Sequence, residues 1–158
     1  MSRAFLADTS CLVAAFLSWH EHHEAAAGEL ERRFEGGERL VLAAHSLVEC
    51  YAVLTRLPAP HRLSPADALA LLRANVPSGT KIVSLDAKDH LAVLEEAAEA
   101  RVAGGRIYDA LIARAAREGG ANVLVTLNEA HFRDLVPEEI ELVIPGGRRD
   151  SPRARSPI

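Results

Sequence analysis

The chain reads as an α/β protein built around a mainly parallel sheet of about five strands, and three observations carry that reading. Apolar runs of strand length alternate with helix-length segments from end to end, the order in which parallel α/β folds are written. The 158 residues suit one compact domain, long enough to bury about two-thirds of the unfolded surface. Acidic residues that stand almost alone in apolar surroundings fall where open α/β sheets carry their sites, beyond the carboxyl ends of strands.

Taken in order, Arg3 to Ala7 predicts a first buried strand, with Thr9-Ser10 opening a helix towards Leu17. Glu21 to Phe34 predicts a second helix, closed by Gly36-Gly37. Arg39 to Ala44 predicts the second strand and Ser46 to Arg56 the helix after it, ended by Pro58 and Pro60. Ser64-Pro65-Ala66-Asp67 supplies a cap, a proline at the first helical position and an acid in the first turn; that helix should end near Asn75-Val76-Pro77. Lys81 to Leu85 predicts a third strand, and Asp86 caps a helix from Ala87 to Arg101. Gly104-Gly105 separates it from a helix over Ile107 to Arg117, which stops at Gly119-Gly120. Asn122 to Thr126 and Glu141 to Ile144 predict the fourth and fifth strands. Residues 1–145 thus form the expected domain, and 146–158, rich in Arg and Pro, a disordered tail.

Composition narrows the function. A net charge of −4 argues against binding nucleic acid through overall basicity, but leaves room for an acidic centre flanked by local arginines. Lysine occurs only at Lys81 and Lys88, so the basic residues are nearly all arginine. Met1-Ser2-Arg3 leads into an apolar run too short for a signal peptide, and no stretch approaches the ~20 residues of a membrane span. Cys11 and Cys50 make neither a zinc spacing nor a disulfide framework, which points to a reducing cytoplasm.

The informative residues are Asp8, Glu49 and Asp109. Histidines aside, Asp8 is the only charged side chain between Arg3 and Glu21, and Glu49 the only one between Arg39 and Arg56. Asp109 is the only acid between Glu99 and Glu118. A carboxylate in apolar surroundings costs several kcal/mol or more unless a cation or hydrogen bonds compensate it. Three such acids on three segments point to one shared cation. At three and four positions onward Asp109 meets Ile112 and Ala113, and Glu49 meets Ala52 and Val53, so neither lies on a solvated stripe. Simpler roles compete: Asp8 as an N-cap, and Asp109 as a charge answering a helix dipole.

Four motifs in order bring a resemblance. Asp8-Thr9-Ser10 after a strand, Glu49 within Ser46-Leu-Val-Glu-Cys-Tyr-Ala-Val-Leu54, Tyr108-Asp-Ala-Leu-Ile-Ala113 and Val125-Thr-Leu-Asn-Glu-Ala-His-Phe132 together resemble the PIN-domain nucleases, and within them the VapC group. The resemblance implies a three-layer α/β/α fold. It also implies an endoribonuclease dependent on Mg²⁺ or Mn²⁺, the toxin of a type II toxin–antitoxin pair. Asp8, Glu49 and Asp109 would be the metal-site acids, Ser10 would orient Asp8, and Thr126 would line the cleft. Many relatives carry a further acid at the place of Asn128 or His131. Asn128 offers an oxygen without charge, which leaves open whether one or two metals bind. The expected chemistry is phosphodiester hydrolysis by an activated water. Arg114 is the candidate grip on RNA, and the expected partners are a VapB-like antitoxin and a second copy of the chain. Two other readings use the same residues: a catalytically weak PIN-like scaffold, and a metal-binding regulatory α/β domain. The latter lacks the second acid beside Asp8 and the late lysine that a receiver-like protein needs.

Overall fold

The computed structural model describes residues 2–147, so of the tail expected over 146–158 all but Gly146 and Gly147 lies outside the described residues. Five strands, β1 (Ala4–Ala7), β2 (Arg39–Ala43), β3 (Lys81–Val83), β4 (Val123–Val125) and β5 (Glu141–Val143), form one sheet in the order β3-β2-β1-β4-β5. All four pairings are parallel. Seven helices connect them: α1 (Thr9–Phe16), α2 (His23–Glu35), α3 (Ala44–Thr55), α4 (Pro65–Asn75), α5 (Ala87–Glu99), α6 (Arg106–Glu118) and α7 (Glu129–Phe132).

The period-two alternation of β1 divides the core. Phe5 and Ala7 face α1 to α4, packing with Leu12, Leu30, Leu54 and Leu72, while Ala4 and Leu6 face Ile112, Ala116 and Phe132 of α6 and α7. Each face is covered by helices, which gives the expected α/β/α layers. Cover on both sides also explains why the two central strands β1 and β4 are apolar throughout, while β2, β3 and β5 each open on an exposed charged residue. No helix among the described residues is long and apolar enough to cross a membrane.

The caps form as their sequences predict. Ser64 accepts a bond from the Asp67 amide, with Pro65 beside it, and Asp86 accepts one from the Asp89 amide. The differences are at ends. β3 stops at Val83, because Ser84 and Leu85 run past the edge of β2, whose partners end at Ala43. The second helix starts at His23, since residues 20–22 lie in turns instead. α7 is an extra, four-residue helix too short to show a hydrophobic period.

At the end of α6 the sheet and helix come close. A Cβ on Gly119 would stand 2.6 Å from Val41 Cγ1 and 2.9 Å from Val83 Cγ2, so only glycine lets α6 pack on β2 and β3 here. Gly119→Ala should therefore destabilise the fold by about 1–3 kcal/mol, measured by urea unfolding; an unchanged midpoint would refute that packing role.

Candidate metal centre

Strand order places the site. β1 runs on to β2 on one side and lies against β4 on the other, so the carboxyl ends of β1 and β4 flank the point where the winding direction reverses, and clefts open at such points. Asp8 follows β1, and Thr126 follows β4. Asp8 is also the N-cap of α1, so the capping role and the lone-acid role fall on one residue.

Asp8 is almost wholly buried. Its Oδ1 accepts from the Cys11 amide at 2.9 Å and from Ser10 Oγ at 2.8 Å, and its Oδ2 accepts from Thr126 Oγ1 at 2.6 Å. Ser10 and Thr126 are themselves fixed: the Leu127 amide donates to Ser10 Oγ at 3.2 Å, and the Asn128 amide donates to Thr126 Oγ1 at 2.9 Å. The turn after β4 is thus tied to the start of α1 through one carboxylate.

Glu49, from α3, receives a 2.9 Å hydrogen bond from Thr9 Oγ1. His45, one turn earlier on α3, brings Nε2 within 3.3 Å of Glu49 Oε2, although this buried nitrogen makes no hydrogen bond. Asp109 stands in the first turn of α6, with His131 Nδ1 of α7 3.2 Å from its Oδ2. The three acids line one cleft of about 360 Å³ together with Ser10, Asn128 and the histidines His20 and His22.

Electrostatics follow from this crowding. Burial pushes the Asp8 carboxyl up from 3.8 to about 6; the bonds from Thr126, Cys11 and Ser10 pull it back, and the charge of Asp109 adds to the rise. Asp109 is also raised, chiefly by burial, with Glu49 contributing and His131 and Arg106 opposing. Among the described residues no lysine or arginine forms an ion pair with any of the three acids. Glu29 shows the contrast: buried much as Asp8 is, it is paired with both Arg32 and Arg33.

The donor set suits a hard cation, because all three side chains offer carboxylate oxygen. Among the described residues no three Asp, Glu, His or Cys side chains are already drawn together into a closed metal-binding group. An ion that keeps several of its waters and takes one or two carboxylates directly tolerates such an open arrangement. Cys50 is unsuited to ligation, since burial pushes its thiol up to about 12, and Cys11 is raised in the same way.

Arg114 stands elsewhere. Its guanidinium lies 3.0 Å from Asp89 of α5 and also reaches Glu96 and Glu118, on the wall of a separate pocket, so it fastens α5 to α6 and does not line the acid cleft. The helix wheel gives its angle from Asp109 but not that α5 packs against that angle. Arg106 is the arginine whose charge bears on Asp109. Thr9, His45 and His131 also belong to the surroundings of the acids. The spacing of His45 four residues before Glu49 on one helix was a signal for the first pair. His131 is exposed on α7, yet it also meets Asp109, a tertiary contact no spacing reveals.

Comparison with known proteins fits this geometry. Residues 5–136 match the PIN domain family model. The chain belongs to the PIN domain family. This PIN domain is 42% identical over 137 residues to Ribonuclease VapC40 of Mycobacterium tuberculosis, covering 86% of this chain and 96% of that protein. It is 36% identical over 110 residues to Ribonuclease VapC27 of the same species, covering 70% and 67%. Among solved structures, M. tuberculosis VapC20, described as a toxin that cleaves the sarcin–ricin loop, superposes with a TM-score of 0.65 at 16% identity over 85% of this chain and 97% of that one. VapBC2 of Rickettsia felis, bound to a DNA fragment of its promoter, gives 0.64 at 19% over 90% and 98%. These structural likenesses establish the fold, and the sequence relatives place the PIN domain among VapC-type proteins.

The raised carboxyl of Asp8 has a signed consequence. A folded-state value of about 6 against 3.8 means the native state holds the proton more tightly, so its stabilising contribution is present below pH 3.8 and is lost as pH rises through about 6. That span corresponds to about 3 kcal/mol. In the presence of a chelator, Asp8→Asn should raise the melting temperature at pH 8 relative to the parent, with the gain shrinking towards pH 4. Equal gains at both pH values in thermal melts would contradict the assignment.

Proposed function

We propose that this PIN domain is a divalent-metal-dependent endoribonuclease and acts as the toxin of a type II toxin–antitoxin pair. The observation that carries the proposal is that three carboxylates from three different elements line one cleft, with no arginine or lysine paired to them among the described residues. The ribonuclease names of the sequence relatives support the same reading.

In this reading Asp8, Glu49 and Asp109 hold Mg²⁺ or Mn²⁺. The bound cation would supply Lewis acidity, both towards water and towards a phosphodiester. The chain's own groups do the positioning. Thr126, Ser10 and the Cys11 amide leave Asp8 one orientation, and Thr9 fixes Glu49. Such orienting partners commonly matter to affinity almost as much as ligands do. The raised carboxyls of Asp8 and Asp109 mean that the free site gives up protons as the cation enters, so binding strengthens as pH rises through about 6. Asn128 lines the cleft and adds an amide oxygen without charge, which favours one tightly held ion over two.

The proposed partners are an RNA substrate, a VapB-like antitoxin and a second copy of the chain, in the cytoplasm. An antitoxin arginine could enter the acid cleft in place of the cation, since a guanidinium pairs with carboxylates through two parallel hydrogen bonds.

The test is a manganese or magnesium titration with a fluorogenic RNA. The parent should cleave only with metal, and Asp8→Asn, Glu49→Gln and Asp109→Asn should each abolish cleavage. Thr126→Val should lower activity or metal affinity by roughly 10–100-fold. Metal-independent cleavage, or full activity in all three amide variants, would refute the assignment; a folded parent inert at every metal concentration would instead favour the weak-scaffold reading.

A further inference from the structure

Only seven residues of the chain are Phe, Tyr or Trp, yet two of them are spent on the surface beside the acid cleft. Trp19 and Tyr108 are the most exposed aromatic residues among those described, 48% and 49% accessible, and each is stacked on a histidine. The Trp19 and His61 rings lie 4.0 Å apart at 24°, and the Tyr108 and His45 rings 5.2 Å apart at 9°. Both stacks adjoin the cleft. Trp19 precedes His20, whose side chain helps line it, and Tyr108 precedes Asp109, while His45 reaches Glu49.

A ring with one face on an imidazole is held in a fixed plane while half of it stays open. Such a surface suits a flat, unstacked base, and base–aromatic stacking is a general means of holding single-stranded nucleic acid. A protein-docking patch calls for contiguous apolar residues around the ring. Trp19 has His20 and His61 as its ring neighbours; beside Tyr108 stand His45, Asp109 and Arg106, whose charge suits a phosphate, with Val48 the one strongly exposed apolar side chain within a helical turn of His45.

Resting on the nuclease reading above, we propose that Trp19 and Tyr108 are two nucleobase-stacking platforms that hold unpaired bases of a single-stranded RNA at the edges of the acid cleft. His61 and His45 are positioning residues that set the planes of the two rings.

Trp19 is the only tryptophan, so its emission reports on one platform directly. In a chelator-containing buffer, a single-stranded RNA of about ten nucleotides should quench that emission, and a backbone-matched abasic strand should not. With metal and a fluorogenic RNA, Trp19→Ala and Tyr108→Ala should raise KM roughly tenfold or more with little change in kcat, and Trp19→Phe and Tyr108→Phe should restore most of it. If the parent cleaves RNA while its emission is unmoved and both alanine variants keep the parental KM, the stacking proposal is overturned and the nuclease reading stands. If the RNA quenches Trp19 but no metal-dependent cleavage occurs, the nuclease reading falls and the platforms survive. Loss of binding to a partner protein alone, with RNA handling intact, would also overturn the proposal.

Discussion

A carboxylate buried at the end of the central strand is the constraint from which the site follows. β1 is the one strand with a partner strand from each winding direction, so its carboxyl end is enclosed from both sides. Asp8 sits there, and water cannot solvate it. Its oxygens need donors, and those donors are the first turn of α1 and the hydroxyl that follows β4. The start of a helix and the end of a neighbouring strand are thereby locked together. Even so, the donors do not offset the whole penalty, because the group remains less acidic than a free aspartate. The unmet part is a standing attraction for positive charge, increased by Asp109 and Glu49 close by.

The rest of the molecule shows that the fold can neutralise buried acids when it is built to. Glu29 is buried much as Asp8 is, and Arg32 and Arg33 close on it; Arg33 also reaches Glu38 at 2.9 Å and lies over the Phe5 ring. Arg114, on the far side of α6, gathers the partly exposed Asp89 and the exposed Glu96 and Glu118. Arginine is therefore plentiful and well used, yet it is kept off the three cleft acids. That distribution separates acids that hold helices together from acids left with capacity for an outside cation.

Much of this was legible because burial leaves a plain trace in sequence. Asp8 and Glu49 stand out because, histidines aside, no other charged side chain lies near them in the sequence, and the central strands are recognisable because both their faces are covered. The caps at Ser64 and Asp86 depend only on residues within one turn, so local sequence determines them. What could not be read depends on which element lies next to which. His131 meets Asp109 because α7 folds back on α6, and Arg114 is engaged because α5 happens to cover its face. The stacking of Tyr108 on His45 joins two helices more than sixty residues apart, a distance no periodicity spans.

The bond from Thr126 to Asp8 joins positions 118 residues apart. During synthesis, β1 and the acid that follows it leave the ribosome early, while the strand that completes their surroundings arrives on the order of ten seconds later at ordinary translation speeds. Until β4 slides in beside β1, one edge of β1 is bare and Asp8 lacks the hydroxyl that orients it. The acid cleft is therefore among the last parts of the molecule to exist, and an incomplete or prematurely ended chain carries its acids without their arrangement.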